Sequence, residues 1–426
     1  MKRCSVLNRI GFIFSLTIAL PSSLLAEGKV WSLAELENRV AENNLEIHSI
    51  QSEHGIKNVE RDTLESRFQP TLHAKAGFIS EKTIDEDRTG PVATLEGRWN
   101  IYRGGRDELA KKTSDLEIRA VDLELAARKQ SLTFELRSLF YNLLALKEKK
   151  KLLKGEMQVN DRQRKVAQGR ASSGVATRAD ELEFRLRGQE LQSTESSLQA
   201  EEEKNLVTIK NIANIAQDEK VVVEGSFPRP SAIDPKILSN DSPAILRLKN
   251  TLEIISHEKN SINSTYKPEI DAFANVGKIY PSEKFKKVES VLGVTLSMPL
   301  YDGRLQQSAL QIAELSKQKA QLEIQKLELD TTSMIESVEI ERKEIERLRE
   351  INDQRLAYAQ KYLTTTVQEY DRGVKNSPDV VGALEHLLSS KVRRIDLALQ
   401  SAVLGAKAMS LKGNPIIHDK VTGDRQ

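Results

Sequence analysis

The sequence predicts a mainly α-helical chain interrupted by short β-strands and laid out as two copies of one plan. Three observations carry this reading. The composition is 30% charged, 39% hydrophobic and only 5% aromatic, a balance that suits long helices better than a broad aromatic core. None of the 12 prolines falls between Pro91 and Pro228 or between Pro299 and Pro378. A proline inside a helix costs about 3 kcal/mol, so these intervals have room for very long helices. Finally, landmarks of the first half recur in the second at an offset of 198 to 199 residues.

The first element is a targeting segment. Residues 1–26 carry Lys2, Arg3 and Arg9, an apolar run from Ile10 to Leu20, and then Pro21-Ser-Ser-Leu-Leu-Ala26, the pattern of a secretory signal peptide. Without it the chain has 61 Lys+Arg against 62 Asp+Glu, a near-neutral balance that argues against a nucleic-acid surface. Cys4 is the only cysteine and lies inside this segment, so disulfides, thiol chemistry and Cys-held metals are excluded from the mature chain. A cysteine at the cleavage junction, the acceptor for a lipid anchor, is absent. Beyond the signal peptide no apolar run approaches the ~20 residues of a membrane-spanning helix.

The mature chain then divides into a first repeat at 27–216, a proline-containing connector at 217–241, a second repeat at 242–413 and a short tail at 414–426. The connector holds Pro228, Pro230 and Pro235. Each repeat opens with a helix, the first over Leu33 to Arg67, which stops before an aromatic-x-Pro-x-aliphatic-x-Ala motif. That motif is Phe68-Gln-Pro70-Thr-Leu72-His-Ala74 in one half and Tyr266-Lys-Pro268-Glu-Ile270-Asp-Ala272 in the other. The residue before a proline disfavours the helical region, which accounts for the stop.

The period then changes to two. Leu72, Ala74, Ala76 and Phe78 alternate with His73, Lys75 and Gly77; Leu95, Gly97, Trp99 and Ile101 alternate with Glu96, Arg98 and Asn100. In the second half Leu292, Val294, Leu296, Met298 and Leu300 alternate with Gly293, Thr295, Ser297 and Pro299, while Glu269 to Ile279 is less cleanly two-sided. Strands of about 10 residues match a tilted membrane-spanning strand. Open strand edges cannot persist in lipid, so four strands per chain would need other subunits to close them.

After Tyr102-Arg-Gly104 and its counterpart Tyr301-Asp-Gly303 come the long helices. In the first, from about Gly105 to Gly169, Leu132, Leu136, Leu139, Leu143, Leu146, Leu153 and Met157 fall on alternating steps of four and three with Lys150 the only polar interruption, the seam of a coiled coil. Sixty-odd helical residues reach on the order of 100 Å. Each long helix ends at a glycine-containing tip, Gly174-Val175 with Asp180 and Gly373-Val374 with Asp379. A glycine there supplies the left-handed residue that terminates a helix. Thr177 with Asp180 has capping-box spacing, and Ser377-Pro378-Asp379 reads as N-cap, first helical residue and acidic first turn.

This order of signal peptide, helix, aromatic-x-Pro hairpin, Tyr-x-Gly turn and long helical hairpin, stated twice, resembles the TolC-like outer-membrane efflux proteins. The resemblance implies a long coiled-coil helical barrel plus a 12-stranded β-barrel completed by a homotrimer. It places the chain in outer-membrane lipid and across the periplasm, with a small equatorial region at the connector and C-terminal segment. It implies an exit duct for a tripartite efflux or type I secretion system, with a periplasmic adaptor protein and an inner-membrane pump as partners. Carried over by position, the periplasmic aperture falls on Asp180, Tyr370, Lys375 and Asp379, and adaptor docking on Gly174, Val175, Gly373 and Val374. Ala179 and Gly382 depart from the pattern, standing where a hydroxyl residue and a second acidic ring are expected.

No phosphate-binding, metalloprotease, serine-hydrolase or dinucleotide motif is present, and the six histidines are scattered. The chain therefore reads as a non-enzyme without cofactor or metal, a passive conduit that an inner-membrane pump must energise. The competing reading is a periplasmic coiled-coil spacer that bridges envelope layers without conducting. Hairpins with an apolar face have no use in such a spacer.

Overall fold

The computed structural model describes residues 29–82, 87–175, 177–228, 242–279 and 288–411. The signal peptide, the 414–426 tail and the proline-containing part of the connector after Pro228 lie outside the described residues.

The chain opens with β1 (Lys29–Trp31) and α1 (Leu33–Asn43), started by a capping box in which Ser32 and Glu35 satisfy each other's backbone N–H groups. The single helix expected over Leu33 to Arg67 is two. Asn44 is extended (φ −68°, ψ 128°) and separates α1 from α2 (Leu45–Ser66). Its Oδ1 caps the Glu46 and Ile47 amides, and its Nδ2 donates to the Ile212 carbonyl at 2.8 Å. An asparagine that caps one helix while tethering to another segment outweighs its mild cost of interrupting the first.

Strands β2 (Thr71–Lys82) and β3 (Asp87–Arg103) follow, then α3 (Arg106–Ser172) and α4 (Arg178–Ile212). The short β4 (Val221–Val223) pairs in parallel with β1. The second half supplies α5 (Pro243–Asn263), β5 (Glu269–Lys278), β6 (Glu289–Ser297), α6 (Leu305–Asp371) and α7 (Ser377–Leu411). Helices α3 and α6 each have 67 residues, and α4 and α7 each have 35. Strand β6 sits three residues earlier than the alternation from Leu292 to Leu300 suggests, ending before Pro299, which has no N–H to give to a ladder. Among the described residues no helix is long and apolar enough to cross a membrane.

The four longer strands form one antiparallel sheet in the order β2-β3-β5-β6. Its register aligns the apolar residues of all four. Ala74 lies opposite Leu95, Leu95 opposite Val276, and Ala274 opposite Leu292. Leu72, Phe78, Trp99, Val294 and Leu296 share that face, and all are exposed. The reverse face carries His73 opposite Glu96, Glu96 opposite Asn275, and Asn100 opposite Asp271. The side-chain period of two is thus kept in phase across the strand pairs as far as Asn100, where a register shift skips Ile101 and brings Tyr102 opposite Ile270.

The helical core is continuous over the middle of the molecule, where Leu36, Ile47, Leu132, Leu136, Phe140, Ile209, Val223 and Ala402 cluster. Leu143, Leu146 and Leu153 of the predicted seam are buried, Leu139 and Met157 half-buried. Beyond Leu153 the buried positions of α3 turn polar, at Glu156 and Asn160. A second cluster, of Ala167, Phe184, Tyr370, Val380, Val381 and Leu384, joins the lower ends of both helical hairpins.

Candidate functional site

The ends of α3 and α6 are built alike. Gly174 (φ +72°) and Gly373 (φ +77°) occupy the left-handed region. The Val175 amide donates to the Arg170 carbonyl at 2.9 Å and the Gly174 amide to Ala171 at 3.2 Å; Val374 donates to Glu369 and Gly373 to Tyr370, both at 2.9 Å. This paired closure satisfies the last carbonyls of each helix and needs a residue free of a Cβ penalty. Nothing lies within 4 Å of a Cβ built on Gly174, and only the Arg170 guanidinium comes so near Gly373. Val175 and Val374 therefore stand exposed at the tips.

The helices that leave the tips are capped by the two aspartates. Asp180 accepts the Thr177 N–H and hydroxyl, both at 2.9 Å. Asp379 accepts the Asn376 N–H at 3.1 Å, and Lys375 Nζ lies 3.4 Å away. The cap of α7 is thus Asn376 rather than the expected Ser377. Ser377 is turned inward, fully buried, where its hydroxyl meets the Tyr370 hydroxyl at 3.2 Å. Its N–H donates to Asp180 Oδ1 at 3.1 Å, so the second hairpin is tied to the first through the same carboxylate that caps α4.

Tyr370 is 1% exposed, packed among the apolar residues at the tip. The Arg170 guanidinium lies 4.6 Å from its ring centre, a cation–π contact, and donates to the Asp371 carbonyl at 3.3 Å. The structure brings Asp180 and Tyr370 together through Ser377, and pairs Lys375 with Asp379, leaving this second pair half-exposed. Arg170 was not singled out by the sequence, and Ser377 was read only as a helix cap. Their roles depend on contacts between segments about 200 residues apart, which no local pattern announces.

Electrostatically both aspartates are held ionised. Burial raises the Asp180 carboxyl, but hydrogen bonds from Ser377 and Thr177 outweigh it and leave it below its ordinary value. The Asn376 amide lowers Asp379, desolvation opposes it, and Lys375 adds to the lowering. Among the described residues no group of three or more His, Cys, Asp or Glu could hold a metal ion.

No known family model matches the chain, and no curated protein sequence does. Solved structures do. The outer membrane protein VceC from Vibrio cholerae superposes with a TM-score of 0.78 at 14% identity, covering 89% of this chain and 96% of VceC. The Campylobacter jejuni CmeC outer membrane channel gives 0.78 at 14% identity, covering 89% of this chain and 85% of CmeC. The Neisseria gonorrhoeae MtrE outer membrane channel, in its open state, gives 0.73 at 14% identity with 90% and 89% coverage. At this identity the likeness is one of fold, and it spans nearly the whole length of each chain: the protein has the TolC-like fold of outer-membrane channels.

Proposed function

We propose that the chain is a passive outer-membrane exit duct, closed as a homotrimer, that carries cargo delivered by an inner-membrane pump through a periplasmic adaptor. The observation that supports it most strongly is the sheet, with one apolar and one polar face across four strands and, among the described residues, both edges unpaired. A sheet of that kind fits lipid outside and water inside, provided that its edges are closed.

The internal repeat indicates what closes them. Helix α5 lies between α3 and α6: Asn250 Nδ2 donates to the Leu116 carbonyl at 2.7 Å, and Lys259 pairs with Glu314 at 2.6 Å. The counterpart of the second contact is Arg61 to Asp115, between α2 and α3, at 2.5 Å. The first has no counterpart within one chain. Leu116 is 9% exposed beneath α5, whereas Leu315, its equivalent on α6, is 58% exposed. On α2, Ile56 and Val59 are exposed as well. Helix α2 of a second copy placed on α6, with β2 of that copy beside β6, repeats the contacts that α5 and β5 make within the chain. Three copies so joined give twelve strands around one axis, continued by the long helices of all three copies.

In that ring the four tip residues Asp180, Tyr370, Lys375 and Asp379 form the aperture, with Tyr370 acting from inside each protomer to hold Arg170 and Ser377 in place. Gly174-Val175 and Gly373-Val374 present small, exposed surfaces for the adaptor. Fractionation of the mature protein, together with its mass in mild detergent, tests this reading: a trimer recovered with the outer membrane supports it, and a monomer soluble without detergent contradicts it.

A further inference from the structure

The seam of α3 runs on past Met157 to Asn160, in step with the alternating spacing of the leucines before it. In α6 the buried positions Val338, Ile345, Asn352, Ala359 and Thr366 recur every seventh residue, with Asn352 at their centre. Each asparagine is thus a polar residue set in a largely apolar stripe, and the two are 4% and 5% exposed. Both reach across their own hairpin to the main chain of the returning helix. Asn160 Nδ2 donates to the Phe184 carbonyl of α4 at 2.9 Å, and Asn352 Nδ2 to the Ser390 carbonyl of α7 at 3.0 Å. Among the described residues Asn160 Oδ1 has no partner, so the amide is not what the most stable seam would carry.

One small residue on the opposite helix makes room for each bond. A Cβ built on Gly188, one turn after Phe184, would come within 3.2 Å of Asn160 Nδ2. Ser390 is fully buried where Asn352 reaches its carbonyl. Large apolar side chains stand one turn away, Phe184 and Leu191 to either side of Gly188 and Leu387 before Ser390, and all three are buried. Sliding one helix by a turn therefore sets the amide against a leucine or phenylalanine side chain, and an unpaired amide in a dry seam is costly. The internal repeat does not account for either asparagine. The counterpart of Asn160 is Ala359 and that of Asn352 is Leu153, both buried and apolar. Asn160 stands 14 residues before Gly174 and Asn352 stands 21 before Gly373, so the two hairpins carry the same device at different layers.

We propose that Asn160 and Asn352 are positioning residues that fix the register of the two helical hairpins, and with it which residues stand at each tip. An antiparallel helical hairpin can slip by feeding residues from one helix through its turn into the other. A seam of leucines resists this weakly, because after one turn each leucine meets another. An asparagine that reaches a carbonyl only over one small residue has a single good register, bought with some stability. The tips depend on that register. A slip of one turn would draw Gly174 or Gly373 into a helix and take Asp180 or Asp379 away from the amide it caps.

Spin labels on α3 and α4 read the register directly in the detergent-purified full chain. Lys165→Cys and Glu203→Cys place them at exposed positions far apart along the first hairpin, so a slip changes their separation by nearly its full length. Labelled chains are diluted with unlabelled ones, and the distance measured lies within one chain, which keeps the outcome separate from that of the channel reading. The parent is expected to give one distance. Asn160→Leu is expected to melt no lower than the parent, because an apolar layer replaces a half-paired amide, yet to show added distances offset by about one helical turn, on the order of 5 Å. Adding Leu153→Asn and Leu191→Ser to that variant copies the layer of Asn352 and Ser390 into the first hairpin, and is expected to restore the single distance. A single parent-like distance in Asn160→Leu, or added distances that persist once the layer has been moved, would overturn the assignment.

Discussion

The Asp180 carboxylate accepts the backbone N–H of Ser377 at 3.1 Å, joining residues 197 apart in sequence and the two helical hairpins at their tips. The same carboxylate accepts the Thr177 N–H at 2.9 Å, so one side chain starts α4 and positions the start of α7. Replacing it removes both functions together. Asp180→Ala should cost about 1–2 kcal/mol, the usual range for a lost helix cap, and should release α7 at its first turn. Thermal unfolding reads the first effect and amide exchange of Ser377 the second; an unchanged Ser377 exchange rate would show that the tie is dispensable.

Acid should loosen the tips. Asp180 and Asp379 both sit below their ordinary carboxyl values in the folded chain, so the unfolded chain binds more protons as pH falls. Their contribution is complete above the unfolded value of about 4 and is lost as pH drops through the depressed folded values. The unfolding temperature of the parent should therefore fall more steeply between about pH 4 and pH 2 than that of the Asp180→Asn/Asp379→Asn double variant. Parallel curves for the two proteins would rule out this linkage.

Capping and pore lining make different demands on Asp379. A cap alone requires an acceptor for the Asn376 N–H, which asparagine supplies, so with capping as its only role Asp379→Asn should cost folding at most ~1 kcal/mol through the helix dipole and leave conduction alone. A three-fold ring of carboxylates at an aperture also attracts cations. Single-channel recording of Asp379→Asn should show lower cation selectivity and weaker block by multivalent cations. Conductance, selectivity and block identical to the parent would leave capping as the whole role.

The two faces of the sheet should tolerate charge very differently. Leu292 lies on the apolar face opposite Ala274, and Asn275 lies on the polar face one residue further along β5. Leu292→Arg should cost about 2–4 kcal/mol if it faces the bilayer midplane and should prevent stable insertion. Asn275→Arg should insert normally. Equal recovery of both variants in the membrane fraction would contradict the assignment of faces.

Much of this architecture can be read in the sequence because it rests on local rules. Proline-free intervals and stepwise leucines locate α3 to within a few residues at either end, and alternation identifies which strand residues share a face, since the strand period is two whatever the partner. Where tertiary contacts decide, the sequence is silent. Asn44 interrupts a helix because the Ile212 carbonyl lies within reach of its side chain. Ser377 gives up the capping position because Tyr370 and Asp180 occupy both of its polar groups, and Asn376 takes it instead. The bond from Asn160 to the Phe184 carbonyl is hidden for the same reason, the asparagine looking like no more than the end of the leucine seam.

Closure by three copies is the central claim, and the internal repeat makes it specific to single residues. Within the chain Leu95 of β3 faces Val276 of β5; shifting these by 199 and 198 residues predicts that Val294 of β6 faces Phe78 in β2 of the neighbouring copy. Cα atoms of residues facing each other across antiparallel strands lie about 4.5–5.5 Å apart, within the range a disulfide spans. The sequence has no cysteine after Cys4, so a Val294→Cys/Phe78→Cys double variant reports on this pair alone. Oxidised in the membrane and run on a non-reducing denaturing gel, it should migrate as a covalent trimer, with each single variant remaining a monomer. A double variant that stays monomeric under the same oxidation would contradict the closed ring.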